Sequence, residues 1–366
     1  MTIEIEALDT LFFRDGKPFS MGDDAWANSM FPPLPSVLYG AIRTAYMAQK
    51  NIAIDDIIKE TENLRIKQIA YKVTTLARNS RKHVTYLSYP IPLDLVMEKD
   101  FDTLAKINEK EYKSYDVRLT TQVARPYCHL NHLSLQTEKI LSYNKEVEVE
   151  NIEDGILTDT AINNYLKGKI NGSIEATKIS DAYKTEAKIG IARQNTTRTA
   201  DEGKLYRMNM LRPNDVKICI EFTGLDDFAP KGLLRLGAEN KLAVYEKTEI
   251  HVLNTPKELG ENFKIYLATP AIFTNGYYPT KVFENANLQV ELTTCAVGKY
   301  LNVGGFDMQK REPKPMQKAV PAGSVYYFRL KKGNFQDLVK QLQETGISET
   351  EQSQKEGFGI AYIAKI

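Results

Sequence analysis

The chain has 366 residues and a formal net charge of +1, with 48 Lys and Arg against 47 Asp and Glu. Hydrophobic residues make up 42% and charged residues 26%, ordinary globular usage that excludes wholesale disorder. The length is more than one hydrophobic core usually serves and points to two domains. Near-neutrality excludes a generic polyanion binder at the level of the whole chain, so the question becomes how the charge is distributed.

Glu4 and Glu6 stand where a signal peptide would carry its basic region and apolar run. The longest uncharged stretch, 25–42, contains Pro32, Pro33 and Pro35 and does not read as a membrane span. Cys128, Cys219 and Cys295 are odd in number and widely spaced, which argues for free thiols in a reducing compartment. The expectation is a soluble, cytoplasmic protein with no membrane partner and no cofactor.

The first element is a strand, with Ile3, Ile5 and Ala7 alternating against Glu4 and Glu6. A long loop holding Phe12 to Gly16 follows. A helix then starts at Pro35 with Ser36 as N-cap. Its apolar face is Leu38, Ala41, Ile42 and Ala45, and the other face carries a stripe of Tyr39, Arg43, Tyr46 and Lys50. Half-buried strands are expected around Ile218-Ile220-Phe222, Phe263-Ile265-Leu267 and Leu288-Val290-Leu292. A further strand runs over Val325 to Leu330. Asn334 caps a helix bearing Phe335, Leu338, Val339 and Leu342, and Gly346 stops it. Phe358, Ile360, Tyr362, Ala364 and Ile366 alternate as a last strand. Strands with helices between them suit an α+β fold of two ferredoxin-like (RRM-like, split βαβ) domains, spanning 1–200 and 201–366. The stretch 100–187 has weak periodicity and reads as an insertion in the N-terminal half, with its own hairpin or helices.

Charge is segregated along the chain. Residues 65–93 carry six basic residues (Arg65, Lys67, Lys72, Arg78, Arg81 and Lys82) and no acid. Residues 188–212 carry six basic residues against Asp201 and Glu202, and residues 310–332 carry seven against Glu312. An acidic run at 144–160 offsets much of this. The basic segments are mixed with Gly, Thr, Asn, Pro and Tyr, the composition of loops that bring backbone N–H groups and hydroxyls to phosphates. Together with the helix stripe they point to nucleic acid, and Tyr39, Tyr46 or Tyr206 could stack on bases.

Several strings fall in a specific order: Phe12-Phe13-Arg14-Asp15-Gly16-Lys17-Pro18-Phe19; Phe31 to Ala45; Tyr89-Pro90-Ile91-Pro92-Leu93-Asp94-Leu95; Gly190 to Arg193 with Thr197 to Ala200 and Gly203 to Tyr206; Pro313-Lys314-Pro315 with Lys318 to Val325; and Gly357-Phe358-Gly359. As an ordered set they resemble the third Cmr subunit of type III-B CRISPR effector complexes, a RAMP-superfamily protein. Residues 100–185 match poorly, and Ala238 and Asn240 stand where the family tends to continue with glycines after Gly237. The resemblance implies two ferredoxin-like domains and a non-catalytic role gripping the repeat-derived 5′ tag of the CRISPR RNA. It also implies contact with the large polymerase-palm subunit on one side and the backbone RAMP subunit on the other.

Candidate RNA contacts are Arg14 and Arg43, which lie in the two best-matching strings, and Ser36 at an anion-favouring helix start. Arg193, Thr197, Arg198 and Thr199 form an alternating basic and hydroxyl segment. Lys310, Arg311, Lys314 and Lys318 surround two prolines, and Gly357 and Gly359 would let another backbone approach closely. Two other readings stay open. One is a metal-independent endoribonuclease using His83 beside Lys82 and Tyr86; the other is a pure protein–protein bridge. Cys128, His129 and His132 have metal-like spacing but lack a second ligand pair. The sequence has no phosphate-binding Gly-x-x-x-x-Gly-Lys-Ser/Thr loop and no Gly-x-Ser-x-Gly elbow.

Overall fold

The computed structural model describes residues 1–14, 26–76, 82–98, 114–118, 125–126, 139–141, 149–170, 173–194, 196–197, 199–251, 253–256, 259–283, 288–307 and 311–366. Strand β1 (Thr2–Ala7) buries Ile3 and Ile5 and turns Glu4 to the opposite face. Helix α1 (Pro35–Lys50) buries Leu38, Ala41, Ile42 and Ala45, as their spacing predicts. Ser36 is not its N-cap. Leu34 holds that position without a side-chain cap, and Pro35 opens the first turn, where a missing N–H costs nothing.

Strands β2 (Arg65–Leu76) and β3 (His83–Pro90) follow, then β4 (Ser114–Arg118), β5 (Gly155–Thr158), helix α2 (Asp159–Leu166) and β6 (Ser173–Lys178). Next come a long hairpin, β7 (Tyr183–Arg193) and β8 (Ala200–Pro213), and strands β9 (Val216–Thr223), β10 (Lys231–Arg235) and β11 (Leu242–Lys247). Among the described residues, one nine-stranded sheet runs β10-β11-β1-β9-β2-β3-β5-β6-β4, with its neighbours antiparallel. Residues 100–187 were expected to fold as an insertion of their own. Three described strands of this stretch, β4, β5 and β6, lengthen the same sheet beyond β3, while Arg125–Pro126 pairs antiparallel with Lys139–Ile140 as a separate two-stranded ladder.

The rest of the chain supplies β12 (Asn262–Leu267), β13 (Gln289–Ala296), β14 (Val325–Lys332), α3 (Phe335–Thr345), α4 (Glu351–Glu356) and β15 (Ala361–Lys365). These strands form a second antiparallel sheet, ordered β13-β14-β12-β15. The expected caps of α3 are present: Asn334 Oδ1 accepts from the Gln336 N–H at 2.9 Å, and Gly346 ends the helix at φ 63°. Phe358 lies in a turn ahead of β15 rather than in the strand. The whole is a strand-rich mixed α/β fold with several antiparallel sheets and few helices.

Period-two alternation assigns the faces. Ile218, Ile220 and Phe222 of β9 point into the core under α1, while Cys219 between them faces the second sheet. On the second sheet Phe263, Ile265 and Leu267 face α3, and Tyr266 faces back toward Ala70 and Cys219. The layers are therefore α1, large sheet, small sheet and α3.

Where the sheets meet, the contact is partly polar. Asp94, only 3% exposed, sits in the loop after β3 and accepts from the Tyr165 hydroxyl of α2 at 2.8 Å and the Tyr327 hydroxyl of β14 at 2.6 Å. Lys264 of β12, 8% exposed, donates to the same carboxylate at 3.1 Å, and its ammonium lies 4.3 Å from the Tyr165 ring centroid. Burial, reinforced by Asp94, pushes both phenols up, so they stay protonated and act as donors. The loop is fixed from the other side as well, since the Leu93 N–H donates to the Gly323 carbonyl at 2.8 Å.

Asp94→Ala leaves Lys264 buried without a counter-charge. The expected loss is about 3–5 kcal/mol of unfolding free energy in denaturant titrations, with part of it recovered in Asp94→Leu combined with Lys264→Met. Burial also pushes the Cys219 thiol up to about 12 and the Cys295 thiol up to about 11. At neutral pH both are protonated. Iodoacetamide should spare both in the folded chain and label both after unfolding, as read by peptide mass spectrometry.

Candidate nucleic-acid interface

The acid-free run at 65–93 is not a free basic surface once folded. Lys72 of β2 bonds Glu4 of β1 and donates to Thr248 Oγ1 at 2.9 Å. Lys67 donates to the carbonyls of Gln343 (3.2 Å) and Glu344 (3.0 Å), capping the C-terminal end of α3. Arg65 lies 3.6 Å from Glu351 of α4. Arg78 and Arg81 lie outside the described residues. Lys217 of β9 also reaches Glu4, at 3.1 Å. Burial opposes ionisation of Glu4, but hydrogen bonds from Lys72 and Lys217 outweigh it and hold the carboxyl below its ordinary range. In the segment 188–212, Lys188 pairs with Glu239 at 2.9 Å, and Arg212 engages Glu186 and Asp9.

The helix stripe is likewise engaged within the fold. Arg43 Nε donates to Thr61 Oγ1 at 2.9 Å, and its guanidinium lies 5.5 Å from the Tyr39 ring centroid. Tyr46 donates to Asp227 at 2.9 Å, and Lys50 pairs with the same carboxylate. Tyr39 is buried, and the Tyr206 ring fills the space beside Gly190, where a Cβ would lie 2.1 Å from Cζ. None of the three tyrosines is an open stacking surface. Ser36 is half-buried in the first turn of α1.

Gly357 and Gly359 do permit a close approach, but the approaching backbone and side chains belong to this chain. Both glycines are buried. Gly357 caps α4 at φ 90°, and a Cβ there would lie 2.9 Å from Ile66. Gly359 has φ 76°, and its Cβ would lie 2.4 Å from the Ser348 nitrogen. The loop packs against the chain's own Ile66 and Ser348. The endoribonuclease grouping also fails on geometry. His83 and Tyr86 sit three apart on the regular strand β3, so they face opposite sides of the sheet. Cys128, His129 and His132 lie outside the described residues.

The other candidates lie on two projections. At the turn of the β7–β8 hairpin Arg193, Thr197 and Thr199 are exposed. There the Gln194 N–H donates to the Thr199 carbonyl at 3.0 Å, and the two threonine hydroxyls are 2.8 Å apart. Arg198 lies outside the described residues. Arg14 is exposed near the base of this hairpin, in the segment where Leu11 pairs with Leu211 and Arg14 bridges Ser29.

The second projection is an arm over 299–319. Its ladder pairs Leu301–Val303 with Gln317–Ala319, and further out Phe306–Asp307 with Glu312–Pro313. Val303 and Ala319 root it in a small core with Leu34, Ile272 and Phe358. Arg311, Lys314 and Lys318 are exposed along the arm, and Lys310 lies outside the described residues. Lys314 lies 3.6 Å from Glu356, and Lys318 lies 4.7 Å from the Tyr300 ring centroid. The structure thus brings the arm, the start of α1 and the Gly357–Gly359 loop together. Arg193, Thr197 and Thr199 stand on a separate element. Tyr300, Phe306 and Met316, exposed on the arm, were missed from sequence because only the ladder register tells outward from inward.

The sequence matches the family model described as CRISPR-associated protein (Cas_Cmr3) over residues 3–366. The chain belongs to the Cmr3 family. Two solved structures have the same fold. One is a cryo-EM structure of the type III-B Cmr-beta bound to cognate target RNA and AMPPnP, and the other is of the type III-B Cmr-beta bound to cognate target RNA. Each matching chain is 17% identical, with 98% of this chain and 95% of that chain covered, at TM-scores of 0.52 and 0.50. No curated relative matches the sequence. This Cmr3-family chain is a subunit of a type III-B CRISPR effector. After Gly237, Glu239 and Asn240 take left-handed φ values of 62° and 52°. No described helix is long and apolar enough to cross a membrane.

The packing around Gly359 makes a direct prediction. Gly359→Ala should cost about 2 kcal/mol or more, because it adds both left-handed strain and a clash with backbone. Thermal and denaturant melts of the full chain would read it as lost stability.

Proposed function

We propose that this Cmr3-family chain is a non-catalytic scaffold of its type III-B effector. It holds the repeat-derived 5′ tag of the CRISPR RNA and docks the large polymerase-palm subunit and the backbone RAMP subunit on its other faces. One observation carries the RNA reading: Lys72 and Lys217 of the large sheet and Arg43 and Lys50 of α1 are bound by the fold's own partners, while on the arm Arg311 and Lys318 are exposed, as is Lys314 beside Glu356. The hairpin turn with Arg193, Thr197 and Thr199 adds hydroxyls and a guanidinium suited to phosphate. The relatives' complexes, described as bound to cognate target RNA, support the same assignment. Arg43, Ser36, Gly357 and Gly359 are not part of this grip.

Two ferredoxin-like units remain the reading of the architecture. In each sheet four strands, counted along the chain, lie in the order 4-1-3-2: β11-β1-β9-β2 in the large sheet and β15-β12-β14-β13 in the small one. We place the division between Lys247 and Asn262 rather than at 200/201, because β9 and β11 complete the sheet begun by β1.

The test uses the full chain in its assembled effector. Replacing both Arg311 and Lys318 by Ala should reduce crosslinking to the 5′ tag and lower the slope of log affinity against log salt by about 1 to 2. Unchanged crosslinking and slope would remove the arm from the RNA path.

A further inference from the structure

The ladder of the arm has two faces, and they differ in chemistry. Leu301 and Val303 pair with Ala319 and Gln317, and Val303 and Ala319 are buried in the core at the arm's root. Alternation sends Tyr300, Asn302, Met316 and Lys318 to the opposite, outer face. Asn302 sits directly across from Lys318. Tyr300 is 51% exposed and Met316 55% exposed, although both are large and apolar in body. Phe306, further out on the arm, is 54% exposed. Three such side chains on one element are each left about half exposed by the fold.

The geometry points to a base-stacking platform: Tyr300 receives an unpaired nucleobase of single-stranded RNA on its open ring face. This inference rests on the RNA reading of the arm and adds what that reading lacks, a group that contacts bases rather than phosphates. Lys318 lies over the Tyr300 ring at 4.7 Å from its centroid, so one face is occupied and the ring is held in place. Half of the residue is still exposed, and the free surface is the other face. Met316, just ahead of the strand that carries Lys318, sets its thioether against Gly304 and is itself exposed. The surrounding charge selects the occupant. Residues 299–318 carry Lys299, Lys310, Arg311, Lys314 and Lys318 against Asp307 and Glu312. A flat aromatic surface inside a cationic field suits a polyanion with exposed π-faces, which is single-stranded nucleic acid. The ring makes this contact without regard to base identity, so the platform fixes the position of a nucleotide and not its sequence.

The experiment uses the full chain in its assembled effector and a short single-stranded RNA carrying 2-aminopurine at successive positions. Stacking on Tyr300 should quench one position on binding. Tyr300→Ala should restore that fluorescence and weaken binding by about 5- to 150-fold. It should leave the salt slope unchanged, because no phosphate contact is lost. Tyr300→Phe should retain the quench, and melts of both variants should match the parent, as fits an exposed side chain. RNA that binds with no position quenched by Tyr300 overturns the platform while leaving the arm's phosphate contacts standing. Loss of a neighbouring protein subunit from the Tyr300→Ala complex, with RNA quenching intact, overturns it in favour of protein docking. Failure of the parent effector to bind RNA through the arm at all, read as no effect of the Arg311 and Lys318 substitutions, sinks the underlying RNA reading as well.

Discussion

The contact between the two sheets depends on a carboxylate that water does not reach. Asp94 is held by two phenols and one ammonium, and these come from α2, β12 and β14. An isolated buried charge would be prohibitive, so the arrangement is stable only when all of these partners are present together. That requirement makes the cluster a registration device. The hydrophobic contact around it, Ala70 and Cys219 against Tyr266, is built from small and large apolar groups that tolerate sliding. A carboxylate that must meet three donors does not tolerate it. The loop carrying Asp94 is itself pinned at Leu93 to Gly323, so two of the strings that marked the family resemblance touch each other across the sheet junction. What looked in the sequence like a family signature is, physically, the fastening of one half to the other.

The same logic explains why linear charge misled. The run 65–93 holds no acid, yet β2 is an inner strand and its neighbours decide its surroundings. Glu4 arrives from β1, two strands away, and satisfies Lys72 and Lys217 together. Lys67 is used by the carbonyls that end α3. A basic segment becomes a basic surface only where the topology supplies no partner, and an inner strand almost always has one. Edges and projections are different. The arm pairs its strands with each other and roots Val303 and Ala319 in a small core, while Asn302 and Lys318 on its other face are exposed.

Much of the fold was legible because it rests on local rules. The apolar face of α1, the Asn334 cap and Gly346 stop of α3, and the alternation in β1, β9 and β12 all follow from spacing and side-chain chemistry that act over a few residues. What could not be read depends on partners distant in sequence. Ser36 resembles a cap until Pro35 opens the helix and Leu34, two residues earlier, takes the position. Arg43 looks free until Thr61 is beside it. Gly359 looks like an opening for a ligand until Ser348 fills it. In the stretch 100–187 the strands β4, β5 and β6 are short, and they gain order from the sheet they extend rather than from their own pattern.

The residues left out of the proposed RNA grip lie on α1 or in the buried turn ahead of β15, and those kept in it lie on the hairpin turn, on the arm or near the hairpin base. A central element cannot serve two masters: its side chains are already fixed by packing and ion pairs, and releasing them for a phosphate would forfeit those contacts. A projecting ladder keeps its backbone bonds on binding, because they run between its own strands, and of its exposed cations Lys314 lies 3.6 Å from Glu356 and Lys318 lies over the Tyr300 ring. The pairing of Lys318 with Tyr300 orders a long flexible side chain and a ring before any ligand arrives, which lowers the entropy that binding must overcome. The near-zero net charge of the chain then hides a division among its cations: Lys72 and Lys217 are consumed in ion pairs within the large sheet, while Arg311 and Lys318 stay exposed on the arm, where the proposed grip would use them.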